Sequence, residues 1–99
     1  MASGRGLLAK VRRSQFGHSQ ADLSRLLEYY GFEFQRHARH GAIFRHPELA
    51  KHPDPELRRE YAYVMVPKGD ELRPYVARKV LSALDLLSEL KKEEGDERE

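Results

Sequence analysis

The stretch that decides the fold is residues 31–46, with the sequence GFEFQRHARHGAIFRH. It contains three histidines and three arginines among four large apolar side chains, and no acidic residue follows Glu33. Imidazole titrates near neutral pH, and guanidinium binds phosphate oxygens in bidentate fashion. Together these groups suit a site that holds a nucleic-acid backbone and moves a proton on it. We therefore interpret the rest of the chain as the scaffold of this segment.

Two antiparallel strands joined by a turn are predicted within this stretch. Residues 32–36 alternate apolar and polar side chains, which is a strand pattern. Residues 37–41 form the predicted turn and residues 42–46 the second strand. Pro47 ends that strand, because proline has no N–H to donate to a ladder.

Helices are predicted on the N-terminal side of the hairpin. A short amphipathic helix is predicted over residues 5–13, and a second over residues 20–30. The second begins with a capping-box pattern at Ser19 and Asp22, and Gly31 follows it where a left-handed residue would end the helix. Its apolar side chains recur at helical spacing and form one stripe: Leu23, Leu26, Leu27 and Tyr30.

The C-terminal half supplies a third strand and a last helix. Residues 47–60 are a polar, proline-marked connection, in which Asp54 and Pro55 could cap and open one helical turn. Residues 61–66, YAYVMV, are a strand by composition. Pro74 opens the last helix, whose apolar residues again recur at helical spacing.

The predicted order is helix, helix, strand, strand, strand, helix. This is an α+β domain with helices on one face of a three-stranded antiparallel sheet. We divide the chain into an N-terminal extension over residues 1–18, a domain over 19–90 and a charged, flexible tail over 91–99.

The charge distribution favours a polyanionic partner. Residues 1–46 carry eight basic against three acidic residues, a net +5, whereas the remainder carries ten against thirteen, a net −3. An ordinary solvated surface is the alternative. No cysteine is present, and no apolar run approaches the ~20 residues of a membrane span. We expect a cytoplasmic protein that does not enter a membrane.

Several local patterns together resemble the HicA-type toxins, small ribonucleases of toxin–antitoxin pairs. The resemblance spans roughly residues 20–88, and it consists of five pieces in the family's order. These are a leucine-rich helix running into Gly-Phe at 26–32, an arginine-led turn, the run IFRHP at 43–47, a strand ending in Val-Pro at 66–67, and RPYV at 73–76. The Pro-Tyr opening and the extra N-terminal helix resemble a longer branch of that family.

This resemblance implies a fold similar to a double-stranded-RNA-binding domain. It also implies a metal-independent endoribonuclease that cuts mRNA, needs no cofactor, and is neutralised by a HicB-like antitoxin protein. In the family, the catalytic histidine belongs to a Gly-Ser-His motif at the start of the second strand.

The chain departs from that motif. Aligned without a gap, the motif falls on residues 39–41, so that His40 stands at the serine and Gly41 at the histidine. A one-residue shift along a strand turns a side chain to the opposite face. Gly41 could allow a bulge that returns His40 to the active face, or the site has lost its base. The connection at 47–60 is also longer than the family's.

Four residues are the candidate site. His40 is the predicted catalytic acid or base, with a solvated turn residue as the alternative. The predicted RNA-binding residues are Arg36, Arg39 and Arg45, of which Arg36 matches the arginine of the family pattern. The leading interpretation is an RNA endonuclease. The alternative is a weakened relative that binds RNA or a HicB-like partner without cleavage, and a third is an unrelated small interaction domain.

The histidines and two tyrosines each allow a functional and a structural interpretation. The histidines raise the possibility of zinc coordination, but without cysteine or a short helical histidine pair we predict no metal site. His46 matches the family's strand end and is predicted to be structural. Tyr61 and Tyr63 could stack on bases, although strand tyrosines are more often half-buried in the core.

Overall fold

The computed structural model describes residues 4–97 and has an α+β architecture. Its three strands form one antiparallel sheet in the order β1-β2-β3. The predicted fold class is confirmed, and the fold is consistent with a small double-stranded-RNA-binding-like domain. The predicted order is matched except that a further helix lies between the second and third strands. The elements are α1 (Gly4–Arg13), α2 (Gln20–Tyr29), β1 (Glu33–Ala38), β2 (Gly41–Arg45), a 3-10 turn (Leu49–Lys51), α3 (Pro55–Tyr61), β3 (Tyr63–Pro67) and α4 (Pro74–Glu97).

Helix α2 begins after Ser19 and ends before Gly31, as predicted, and of the predicted capping box it has the serine half. The Ser19 hydroxyl accepts a hydrogen bond from the Asp22 N–H at 3.1 Å, which satisfies one of the orphan amides of the first turn. Gly31 follows the helix with φ of +95°, a conformation that side-chain-bearing residues adopt only at a cost. The leucines of the predicted stripe are buried without exposed surface: Leu23, Leu26 and Leu27.

The two faces of the sheet have different environments. Alternate residues of β2 and β3 enter the core beneath the helices: Ala42, Phe44, Val64 and Val66. The intervening residues lie on the opposite side, which we call the open face. Paired residues of neighbouring strands share a face, and the register pairs Ile43 with Met65 and Arg45 with Tyr63.

A bulge in β1 decides which side chains this strand adds to the open face. Phe34 pairs with Phe44, but the next matched pair is Arg36 with Ile43, so that Gln35 has no partner. The two residues on either side of a bulge therefore lie on opposite faces. Phe34 lies on the core side and Arg36 on the open face, where simple alternation would have placed both together.

The β-hairpin turn is shorter than predicted. Pairing continues to Ala38 and Gly41, which leaves only Arg39 and His40 in the turn, whereas residues 37–41 were expected there. The Lys68 N–H donates to the His40 carbonyl at 3.0 Å and extends the pairing beyond β2. The bulge proposed for Gly41 is therefore not found at that residue and lies in β1 instead.

The connection after β2 contains the helical turn expected at its proline. The Asp54 carboxylate accepts from the Glu56 N–H at 2.9 Å, and Pro55 occupies the first turn of α3. Residues 61 and 62 were predicted to begin the third strand. They end α3 instead, because the Ala62 N–H donates to the Arg58 carbonyl at 3.0 Å, and β3 begins at Tyr63.

The terminal helices complete the core. Leu7 and Val11 of α1 are buried with α2 and α4, and Arg12 forms an ion pair with Asp85 at 2.6 Å. Both partners are about half exposed, so that burial of the leucine and valine contributes more than this pair. Helix α4 runs to Glu97. The division at residues 18 and 90 stays a prediction, and residues 1–3 and 98–99 lie outside the described residues.

Within residues 4–97, no helix combines the length and the apolar character that crossing a bilayer requires.

We predict that Gly31→Ala destabilises the protein more than Gly17→Ala. Both glycines have positive φ, so each substitution costs about 1–2 kcal/mol of backbone strain. A Cβ at residue 31 would also lie 3.0 Å from the His46 ring, whereas one at residue 17 meets nothing within 4 Å. Urea unfolding of both variants measures the difference, which should be at least about 1 kcal/mol. Equal losses would contradict the proposed contact with His46.

Candidate nucleic-acid interface

The turn between β1 and β2 brings together three of the four predicted site residues. Arg39 and His40 form the turn, and Arg36 lies on the open face of β1. All three are exposed. The side chains of these three residues form no hydrogen bond or ion pair with any residue that the structure describes. Their charge and their donors are therefore available to a ligand in solvent.

Arg45 occupies the other end of the open face. It ends β2 and pairs with Glu33 on one side and Tyr63 on the other, and it forms no ion pair with any described carboxylate. Four residue steps separate it from Gly41, which is roughly 13 Å at the rise of a strand. Arg36, the partner of Ile43, lies two residue steps from Arg45, roughly 7 Å along the strand, and so lies between Arg45 and the turn that contains Arg39.

Apolar side chains lie beside these arginines on the open face. Tyr63 is 54% exposed and Met65 is 48% exposed on the open face, with Ile43 partly buried beside Met65. Tyr61 is half-buried in α3, with the Lys79 ammonium 5.5 Å from its ring centre. The core interpretation therefore fits Tyr61, whereas Tyr63 presents its ring to solvent. Exposed aromatic rings between cations are typical of surfaces that bind unpaired bases.

Gly41 has no space for a side chain. A Cβ there would overlap the Val66 carbonyl oxygen and lie 2.8 Å from the Pro67 Cα. Both contacts are with backbone of β3, which cannot give way without disturbing the sheet. A histidine at the position that the family motif assigns to the base would therefore not fit this pairing of β2 and β3. The only histidine of the turn is His40.

His46 is buried and has a structural role, as predicted. Its Nδ1 accepts from the Glu48 N–H at 3.1 Å, and its other nitrogen lies 3.1 Å from the Tyr30 carbonyl oxygen. Because Nδ1 accepts, the proton of the neutral ring is on Nε2, which donates to that carbonyl. The ring also packs edge-on against Phe32. Burial lowers the pKa of His46, and the bond to the Tyr30 carbonyl opposes this shift.

The other histidines that raised the possibility of zinc coordination lie apart from each other. His37 pairs with Ala42 on the core side and contacts the Phe34 ring at 4.9 Å, and the His52 Nδ1 accepts from the Asp54 N–H at 3.0 Å. Over the described residues, no group of three or more histidine, aspartate or glutamate side chains is arranged to hold a metal ion.

Arg58 and Arg59 of α3 were not among the predicted site residues. Together with Arg45 and Tyr63 they line a cleft of about 500 Å³. In the sequence they are two adjacent arginines in a polar connection, a pattern common on any solvated helix. Only the packing of α3 beside the ends of β2 and β3 brings them to the sheet.

We predict that His46 makes stability fall at mildly acidic pH. Its lowered pKa means that the unfolded chain takes up a proton first, near its ordinary value of about 6.5. The contribution is therefore complete above that value and is lost as pH falls from it through the lower folded pKa. Urea unfolding between pH 5 and 8 should show this loss in the wild type.

Two variants separate His46 from the other titrating groups. The pH dependence should be smaller in His46→Gln than in the wild type, and smaller than in His37→Gln, which replaces an exposed histidine of the same domain. A slope that survives His46→Gln in full would contradict the assignment.

Comparison with known proteins adds no identification. No family model, curated protein or solved structure matches this chain. The resemblance to HicA-type toxins therefore depends on the sequence patterns alone.

Proposed function

We propose that this protein is a HicA-like toxin, an RNA endonuclease that binds mRNA on its open face and cleaves it with His40. The observation that carries the proposal is the β1–β2 turn, where an exposed histidine stands beside two exposed arginines that have no described ionic partner. The sequence patterns of residues 20–88 add the family resemblance, and the fold is consistent with it.

The chemistry is transesterification at phosphorus without a metal. The 2′-oxygen attacks the neighbouring phosphorus as its proton leaves, the bond to the 5′-oxygen breaks, and that oxygen takes up a proton. The products are a 2′,3′-cyclic phosphate and a free 5′-hydroxyl. His40 fills one of the two proton roles, and Arg36 and Arg39 stabilise the extra negative charge that develops on the phosphorane oxygens.

An antitoxin would act on the same surface. A HicB-like partner that covers the turn and the open face would exclude RNA, and exposed Tyr63 and Met65 give such a partner apolar area to bury. In this proposal the protein is cytoplasmic, and its expression without the partner arrests growth.

The proposal predicts that His40→Ala abolishes RNA cleavage while RNA binding is kept. Loss of a general acid or base should lower the cleavage rate by about 10²–10⁴-fold. His37→Ala is the matched control, because this histidine lies three residues earlier and on the core side of the sheet. The measurement is cleavage of a labelled single-stranded RNA with binding followed in parallel. Full activity in His40→Ala would exclude His40 as the catalytic residue.

A second candidate function is RNA or antitoxin binding without cleavage. Gly41 favours it, because the position that the family motif assigns to the base has no room for a side chain. The same assay decides between the two candidates. Wild-type protein that binds RNA but leaves it intact, even at high enzyme concentration, would support binding alone.

Under either candidate, Arg36→Gln and Arg39→Gln should each weaken RNA binding. If each arginine contacts one phosphate, the slope of log affinity against log salt should fall by about 0.7 per substitution. Arg13→Gln is the control, since this exposed arginine ends α1 on the helical side. Fluorescence anisotropy at several salt concentrations measures the slopes. An equal change in all three variants would show that the turn is not a preferred contact.

A further inference from the structure

We propose that the cleft beside α3 is a nucleotide-binding subsite, in which three arginines bind an RNA phosphate and Tyr63 stacks on a base. We call it the α3 cleft, and its charged and aromatic lining consists of Arg45, Arg58, Arg59 and Tyr63. It deepens the proposed function, because it extends the RNA-binding surface from the β1–β2 turn to a second site.

The α3 cleft contains an excess of positive charge, since three arginines line one concavity. Its volume is about 500 Å³, and Pro55 and Ala62 contribute to its walls. None of its three guanidinium groups forms an ion pair with a carboxylate that the structure describes. Like charges held in one cleft repel each other, and a bound anion relieves that repulsion.

The acidic residues in and next to α3 form no ion pair with the arginines of the cleft. Asp54 caps the helix through its carboxylate, and Glu60 binds the Lys79 ammonium at 2.9 Å. Glu56 makes no ion pair among the described side chains. The helix thus presents two arginines to the cleft without a carboxylate that neutralises them.

The guanidinium groups are partly oriented in advance. The Arg58 Nη1 donates to the His52 carbonyl oxygen at 2.9 Å, which limits the rotation of that side chain. The backbone of Arg45, though not its guanidinium, is fixed by its pairing with Tyr63 at the end of β2. Ordering these groups before binding lowers the entropy that a ligand must offset. Planar guanidinium groups match phosphate oxygens in bidentate geometry.

Tyr63 makes a nucleotide a better match than a bare anion. Its ring is 54% exposed, and its backbone is paired with that of Arg45 on the open face. A phosphate on the arginines would therefore leave the attached sugar and base close to the ring. Stacking on an aromatic side chain contributes ~1–3 kcal/mol per base and tolerates any sequence.

The open face connects this cleft to the turn. From Arg45 and Tyr63 the open face continues to Ile43 and Met65, with Arg36 beside Ile43, and it ends at the turn of Arg39 and His40. A short single strand lying along β2 would place one phosphate at each basic end and its bases on the apolar residues between them. The long connection at 47–60, which departs from the family pattern, supplies the second end of this path.

Titration with 5′-AMP, followed by amide chemical shifts of isotope-labelled protein, tests the subsite directly. We expect shifts confined to residues 45 and 58–63, and at least tenfold weaker binding in the double variant Arg58→Gln/Arg59→Gln. Tyr63→Leu should weaken 5′-AMP but leave inorganic phosphate unaffected. Arg13→Gln should bind as the wild type does.

Arg59→Gln alone guards against a folding artefact. The Arg59 side chain makes no hydrogen bond or ion pair within the described residues, so its replacement removes no internal polar contact, whereas the Arg58 side chain holds the His52 carbonyl. Unchanged 5′-AMP affinity in both variants, or shifts outside the cleft, would overturn the subsite. Equal affinity for phosphate and 5′-AMP would overturn its assignment to nucleotides.

The subsite and the proposed endonuclease function can fail independently of each other. If the arginine variants lose 5′-AMP binding while the wild type does not cleave RNA, the subsite stands and the endonuclease proposal fails. If RNA is cleaved with equal affinity and rate by wild type and both variants, the endonuclease proposal stands and the subsite fails.

Discussion

The buried imidazole of His46 is the constraint on which the arrangement of this domain depends. In its neutral form it accepts from the Glu48 N–H and lies within hydrogen-bond distance of the Tyr30 carbonyl oxygen. It therefore joins the end of α2 to the residue that follows β2, while the Phe32 ring packs against it in a T-shaped arrangement. Because the end of β2 is held in this way, it is settled which of its side chains face the core and which lie on the open face. A protonated ring would lose the bond to Glu48, because Nδ1 could no longer accept.

Alternation and one bulge then decide which charges meet on the open face. β2 directs Phe44 into the core and Arg45 away from it, and the unmatched Gln35 of β1 brings Arg36 to the same side as Ile43. Without that bulge Arg36 would lie on the core side with Phe34. The helices leave this face to Tyr63, Met65, Arg36 and Arg45, and Arg39 lies at the turn. The resulting surface combines positive charge with one exposed aromatic ring, which is the combination that the proposed RNA binding uses.

The features that local chemistry determines could be predicted from the sequence. The Ser19 cap, the glycine stop at residue 31 and the Asp54-Pro55 start of α3 depend on neighbours in the chain, and the structure has all three. The three-stranded antiparallel sheet also follows from apolar alternation and turn residues. His46 could be predicted as structural, although its tautomer depends on contacts with Tyr30 and Glu48.

Features that arise from pairing between distant segments could not be predicted. An alternating pattern contains no signal for the Gln35 bulge, and the Lys68 N–H that extends pairing to His40 comes from beyond β3. In the sequence, Arg58 and Arg59 resemble ordinary solvated helix residues, and only the packing of α3 beside Arg45 places them in the cleft. The close approach of Gly41 to β3 likewise appears only in three dimensions, and it bears directly on whether His40 can replace the expected base.

The central claim is that RNA lies on the open face and not on the helical side. Photochemical cross-linking of a single-stranded RNA containing 4-thiouridine, followed by mass spectrometry of the peptides, tests it most directly. Cross-links should concentrate in residues 36–45 and 58–67, which span the β1–β2 turn, β2, the end of α3 and β3. Cross-links concentrated in α1 or the outer surface of α4 would contradict the account.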